Sequence, residues 1–176
     1  MNTMRLSLVT GMALMASVLF LPLGLMAEES PESVAALAAA LKPVKVTLAQ
    51  GLAASAAQGT PISGKFELDD SGKLQLSVYT VKDGTYFEVI VNHKSGKVAK
   101  SEKIADAGDL THAQSQDQAI GKANKSLAKA VAAAVKANPG YRALGAVAEL
   151  DADKPVAKIT LLKGKAAKEV TEKLGG

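Results

Sequence analysis

The pattern of apolar residues changes from a helical period to strict alternation near residue 60. Helical segments precede this point, and alternating segments follow over 65–68, 74–78 and 86–91. Between the last two, Asp83-Gly84 tolerates the positive φ that a tight hairpin turn requires. The first half of the chain is therefore predicted to be helical and then to form an antiparallel meander, with a further short strand over 97–104.

Two short helices are predicted before this meander. Ser30, Pro31 and Glu32 suit the start of the first helix, which Pro43 ends. Thr47 can cap the second, expected from Leu48 to about Gln58. Each has an apolar side, formed by Val34, Leu37, Ala38 and Leu41 in the first and by Leu48, Leu52 and Ala56 in the second.

A longer helix and another meander are predicted in the second half. Thr111 and Gln114 match a capping box, and the helix is expected to reach about Ala137 with a bend at Gly121. Three strands are expected after it, over 146–150, 156–162 and 168–173.

The second half repeats the order of the first at a spacing of about 80 residues. Matching segments are Thr47-Leu48 with Ser126-Leu127, Glu67-Leu68-Asp69 with Glu149-Leu150-Asp151, 78–82 with 159–163, and Glu88-Val89 with Glu169-Val170. The predicted fold is α+β, with two tandem repeats of a helix followed by a three- to four-stranded antiparallel β-meander. The predicted divisions are an export signal (1–27), an N-terminal helical segment (28–43), repeat 1 (44–104) and repeat 2 (105–176).

The first 27 residues have the pattern of a cleavable export signal. Arg5 precedes an uncharged apolar run from Leu6 to Leu25, and Ala27 offers a small residue at the cut. We therefore expect a periplasmic or secreted protein that begins at Glu28. Because the run is close to the roughly 20 residues that span a bilayer, an uncleaved anchor is the alternative.

The composition excludes several chemistries. The chain has no cysteine, which rules out disulfides, thiol nucleophiles and cysteine metal sites. The net charge of +4 is too small to argue for a polyanionic partner, and nucleic acid is not expected.

No catalytic residue, metal site or cofactor is predicted. The two histidines, His93 and His112, lack the spacing of paired zinc ligands, and no GxSxG elbow or glycine-rich phosphate loop is present. The acidic pairs Asp69-Asp70 and Asp151/Asp153 are interpreted as turn residues, with weak calcium binding or acid–base catalysis as the alternative. We therefore expect a protein that is not an enzyme.

Three apolar or aromatic residues are predicted on the side of the first meander opposite its core, which we call the outer face. They are Tyr79, Tyr86 and Ile90, and the core set is Phe66, Leu76, Val78, Phe87 and Val89. Since aromatic side chains on a water-exposed face are unusual, we expect the second repeat, a dimer mate or a binding partner to cover them.

Four lysines are predicted along one side of the long helix: Lys122, Lys125, Lys129 and Lys136. Such a stripe usually keeps a core helix soluble. The alternative is contact with anionic lipid or with an acidic protein.

The first repeat resembles a PepSY domain, a small exported bacterial module, over about 55 residues. The resemblance rests on the order of short pieces: Thr47-Leu48-Ala49-Gln50-Gly51, Phe66-Glu67-Leu68-Asp69, Ser71-Gly72-Lys73-Leu74, the hairpin from Asp83-Gly84 to Val91, and Asn92-His93-Lys94-Ser95-Gly96-Lys97-Val98. The second repeat departs from the pattern, with Lys163-Gly164-Lys165 in place of the Asp-Gly turn.

The resemblance implies a non-catalytic role in binding or restraining another exported protein, for example a peptidase. The competing hypothesis is a small-ligand or envelope-surface binding protein that uses the groove between the repeats or the four lysines.

Overall fold

The computed structural model describes residues 31–69 and 71–175, which form an α+β fold of four helices and one antiparallel sheet. The helices are α1 (Pro31–Ala40), α2 (Leu48–Ser55), α3 (Ala107–Gly121) and α4 (Leu127–Ala137). The strands are β1 (Thr60–Leu68), β2 (Leu74–Lys82), β3 (Thr85–Val91), β4 (Val98–Lys103), β5 (Arg142–Asp151), β6 (Lys154–Lys163) and β7 (Ala166–Lys173).

No helix within these residues is long and apolar enough to cross a membrane. The N-terminal segment with the pattern of an export signal lies outside the described residues, as do Ser30 and Asp70.

The seven strands form a single sheet in the order β4-β3-β2-β1-β5-β6-β7. Within it β1–β4 and β5–β7 are two meanders in which chain neighbours pair. They join through β1 and β5, where Gly64 lies opposite Ala146. The sequence did not predict this join, which makes the sheet continuous across the predicted boundary at residue 105.

The two meanders pair their strands in matching registers. Val78 lies opposite Val89 between β2 and β3, and Ile159 lies opposite Val170 between β6 and β7. These are the pairs expected if positions about 81 residues apart are equivalent.

Both strands at the centre of the sheet are irregular at matching positions. The register shifts between Pro61 and Ser63 in β1, and between Ala143 and Gly145 in β5. A bulge adds a residue to one strand of a pair and increases its local twist. Each of these two strands therefore carries an irregularity close to its first residue.

One side of the sheet, which we call the helix face, packs against α1, α2 and α4. Its core joins buried side chains of the strands to buried leucines and valines of these helices, with Phe66 as the largest of its fully buried members. The members include Leu37, Leu41, Leu48, Leu52, Phe66, Leu76, Val78, Val89, Leu127, Val131, Ile159 and Leu161.

The outer face is covered in part by α3. There Ile62, Tyr79 and Val147 of the sheet form a second apolar cluster with Ala113 of α3 and with Ile104, which follows β4. The sheet is therefore enclosed on both faces near β1 and β5.

The predicted start of the long helix at Thr111 is wrong. The helix begins at Ala107, because the Asp106 carboxylate accepts hydrogen bonds from the amides of Gly108 and Asp109 and so caps it. Thr111 lies inside α3, where its hydroxyl donates to the carbonyl of Ala107 at 2.9 Å.

The predicted continuation of that helix to Ala137 is also wrong. α3 ends at Gly121 and α4 begins at Leu127, with the Ser126 hydroxyl accepting from the amide of Lys129 as a second N-cap. The connecting residues carry the chain from the outer face to the helix face. One straight helix could not cover both faces of the sheet.

Candidate binding cleft

A cleft of about 550 Å³ lies between α2 and α4 on the helix face. The start of α2 lines it together with the end of α4, while the end of α2 and the start of α4 line a separate pocket, so the two helices run antiparallel. Its apolar walls include Val44, Leu48, Val131, Val135 and Ala143. We call it the inter-helix cleft.

Local sequence fixes both helix ends that border this cleft. Thr47 and Gln50 form a complete capping box that starts α2 beside the cleft. α4 ends at Ala137, where the Asn138 side chain donates to the carbonyl of Ala134 at 2.7 Å. Exposed Ala132 lines the cleft, and its small side chain leaves the cleft open to solvent.

Arg142 is the most unusual residue of the cleft. Its Nη1 donates to the carbonyl of Leu41 at 2.7 Å, and its guanidinium carbon lies 5.7 Å from the centre of the Phe66 ring. Burial lowers the pKa of Arg142, although a guanidinium stays charged at any physiological pH. No carboxylate in the described part of the chain forms an ion pair with it.

Further cations lie against the neighbouring Tyr141 or line the same cleft. The ring of Tyr141 lies 4.4 Å from the ammonium group of Lys168 and 5.7 Å from that of Lys163. Exposed Lys45 and Lys136 line the inter-helix cleft.

A neighbouring cleft of about 750 Å³ lies between α1 and the β6–β7 turn. Lys42, Lys163 and Lys165 line it together with Tyr141 and Arg142. Neither cleft has an Asp or a Glu among its lining residues. This end of the molecule is therefore positively charged around apolar walls.

The three residues predicted on the outer face differ in how much of their surface is exposed. Tyr79 is 2% exposed and lies under α3 in the second apolar cluster. Burial, followed by the charge of Asp109, raises the pKa of Tyr79. Tyr79 is therefore inaccessible to a partner while α3 is in place.

Tyr86 and Ile90 keep part of their surface exposed. The Tyr86 hydroxyl donates to Asp117 of α3 at 3.1 Å, and partial burial together with this bond raises the pKa of Tyr86. Ile90 lies opposite Ser77 of β2 and Lys100 of β4, both polar.

Polar side chains occupy the outer face around these residues. Glu88 accepts a hydrogen bond from the Ser77 hydroxyl at 2.6 Å, and Glu67 accepts one from Gln75 at 2.9 Å. Lys65 also pairs with Glu67 at 2.6 Å. Burial raises the pKa of Glu88, and the bond from Ser77 opposes that rise.

The four predicted lysines do not form a stripe on one helix, because that helix is interrupted. Lys122 follows α3 and forms an ion pair with Asp153, and Lys125 lies in the connection, 3.8 Å from Glu172. Lys129 and Lys136 are exposed on α4. Only Lys136 lines the inter-helix cleft.

His93 lies in a turn, His112 lies within α3, and Asp151 is the last residue of β5. No group of three His, Asp or Glu side chains in the described residues could hold a metal ion. Asp69 accepts from the Ser71 hydroxyl and from the amides of Ser71 and Lys73, and the bond from the Ser71 hydroxyl is the main cause that lowers the pKa of Asp69. Asp153 has a positive φ of 67° in the β5–β6 turn. The geometry of Asp69 and Asp153 agrees with their interpretation as turn residues.

The sequence offered little signal for Arg142 or Tyr141. Both follow the helix-ending Asn138-Pro139-Gly140, where a polar residue at the start of a strand is ordinary. Their position beside the start of α2 depends on pairing between β1 and β5, which local patterns do not report.

Comparison with the models of known protein families found no match, and neither did comparison with curated proteins. Among solved structures, this chain is similar to a "putative lipoprotein" from Clostridium difficile 630 with a TM-score of 0.41 and 19% identity. The alignment covers 75% of this chain and 88% of the other. At this TM-score the likeness supports no functional conclusion.

Proposed function

We propose that this protein is a non-catalytic binding module whose ligand site is the inter-helix cleft, and that the ligand is a small molecule with negative charge. The observation that carries the proposal is Arg142, a partly buried cation with a backbone carbonyl as its hydrogen-bond acceptor. A buried charge is costly unless it is paired. An anionic ligand would supply the missing charge.

An NMR titration of the uniformly labelled protein with benzoate tests this proposal. We expect the largest amide shifts in residues 44–49 and 131–143, which border the cleft. Benzyl alcohol is the control, because it has nearly the same shape without the charge. Equal responses to both compounds, or shifts centred on the outer face, would exclude the cleft as an anion site.

We also propose that the chain arose by duplication of a PepSY-like unit. The matching strand registers, the bulges at equivalent positions in β1 and β5, and the N-caps Thr47 and Ser126 support this. On this proposal the antiparallel helices α2 and α4 are equivalent, and the cleft lies between the repeats. The helices that precede α2 and α4 do not follow the repeat, because α1 lies on the helix face whereas α3 lies on the outer face.

Export is proposed from the N-terminal sequence. N-terminal sequencing of protein from the native host should find Glu28 as the first residue, in a periplasmic or secreted fraction. Recovery of a chain that begins at Met1 from membranes would instead support the anchor.

A second proposal is that the outer face binds another exported protein, in the way that the PepSY resemblance implies. The observation that favours it is Tyr86, whose partly exposed ring is held by Asp117 through its hydroxyl. A fixed tyrosine offers contact area at low entropic cost, and such residues are often interface hot spots.

If such a partner exists, Tyr86→Ala should weaken its binding by about 2 kcal/mol, or roughly thirtyfold. The partner affinity and the melting temperature should be measured on the same sample. Tyr86→Phe is the matched control, since it removes only the hydroxyl. A loss of stability in Tyr86→Ala with unchanged affinity would assign the ring to α3 packing and not to binding.

A further inference from the structure

We infer that the inter-helix cleft takes a free single-chain anionic amphiphile, such as a straight-chain fatty acid, with its head group at Arg142 and its chain along the apolar walls. This inference rests on the proposed function, because it names the class of ligand for the same site.

The cations of the cleft would bind the charged end of the ligand. Arg142 lines the cleft, and Lys45 and Lys136 lie at its exposed edge. Planar guanidinium groups bind carboxylates through paired hydrogen bonds, and lysines add long-range attraction. Since no carboxylate lines the cleft, a bound anion would meet no opposing charge from its walls.

The apolar walls of the cleft would bind the hydrocarbon chain of the ligand. The exposed methyl of Ala132 lies at the cleft surface, and the side chains of Ala49 and Val135, which also line the cleft, are only partly buried. A compact hydrophilic anion such as phosphate would leave these walls in contact with water. A methylene chain would remove them from water at a gain of about 0.8 kcal/mol for each buried CH₂.

Shape and size favour a single chain. The volume of about 550 Å³ lies within the range of small-ligand pockets. The cations surround a recess between two helices, so a free amphiphile can enter it whereas a flat bilayer surface cannot. We therefore expect the ligand to be a free amphiphile and not a lipid of a membrane surface.

The experiment is calorimetric titration of the full mature chain with acetate, hexanoate, octanoate and decanoate, each below its micelle concentration. We expect affinity to rise about fourfold for each added methylene until the chain fills the cleft. Decanol should bind more weakly than decanoate, because it lacks the charge.

Two matched pairs of variants locate the site. Ala132→Trp fills the cleft and should weaken decanoate binding at least about tenfold, the effect of losing about two buried methylenes. Ala133→Trp makes the same change at an exposed position of α4 outside the cleft and should leave binding unchanged. Lys136→Glu should weaken binding, whereas Lys129→Glu, with the same net charge, should not. Melting temperatures confirm that all four variants fold.

The outcomes separate this inference from the proposed function. Binding of acetate and decanoate with equal affinity would overturn the amphiphile and leave an anion site. Binding of none of these compounds, together with a failed benzoate titration, would overturn both. Association with phosphatidylglycerol vesicles without binding of free decanoate would also overturn the inference, as would equal effects of Ala132→Trp and Ala133→Trp.

Discussion

Replacement of Phe66 by alanine is expected to lower the free energy of unfolding by about 3–5 kcal/mol. The ring is 2% exposed within the helix-face core, and its face carries the Arg142 guanidinium. The substitution therefore leaves a cavity and also removes the surface on which the cation rests. Such a loss is a large share of the stability of an ordinary domain. Urea unfolding monitored by circular dichroism measures it.

Phe87→Ala is the control for this prediction. Phe87 packs against the same core but is only partly buried, so its loss should cost clearly less than that of Phe66. Equal losses from the two substitutions would contradict the packing described for β1 and β3.

Replacement of Gly51 by leucine is expected to lower the free energy of unfolding by about 3 kcal/mol. Intrinsic propensity favours leucine over glycine in a helix by about 0.8 kcal/mol, so propensity alone predicts the opposite sign. A Cβ on Gly51 would overlap Cδ2 of Leu76 and lie 3.1 Å from its Cγ, and Leu76 is fully buried. α2 would then have to move away from β2.

Gly121→Leu is the matched control, because a Cβ at this position in α3 meets nothing within 4 Å. Its unfolding free energy should stay the same or rise slightly. If both variants gained stability, helix propensity would outweigh packing, and the close contact of α2 with the sheet would be wrong.

Short-range patterns in the sequence predicted most of the elements. Alternation of apolar residues and the Asp83-Gly84 turn gave the strands, because both signals are local. Thr47 predicted the start of α2, and its role as the N-cap is confirmed. The long helix was wrong because the side chains of Asp106 and Ser126 compete as caps with Thr111, and sequence alone does not rank them.

Long-range features were harder to predict. Two separate meanders could be expected, but the pairing of β1 with β5 depends on contacts between residues distant in the sequence. The burial of Tyr79 depends on which face of the sheet α3 occupies. The sequence of α3 gives little sign of this, because its apolar side consists only of Leu110, Ala113 and Ile120. The cleft around Arg142 depends on the pairing of β1 with β5, which brings the end of α4 and the start of β5 beside α2, so no single motif indicated it.

The pairing of β1 with β5 also bears on how the chain folds. Every other pair of neighbouring strands is consecutive in the chain, whereas Gly64 and Ala146 are 82 positions apart. The entropy of closing a long loop is therefore concentrated in one step. We expect the two meanders to form early and their joining to limit the folding rate, so that substitutions at this seam slow refolding more than those at either outer edge.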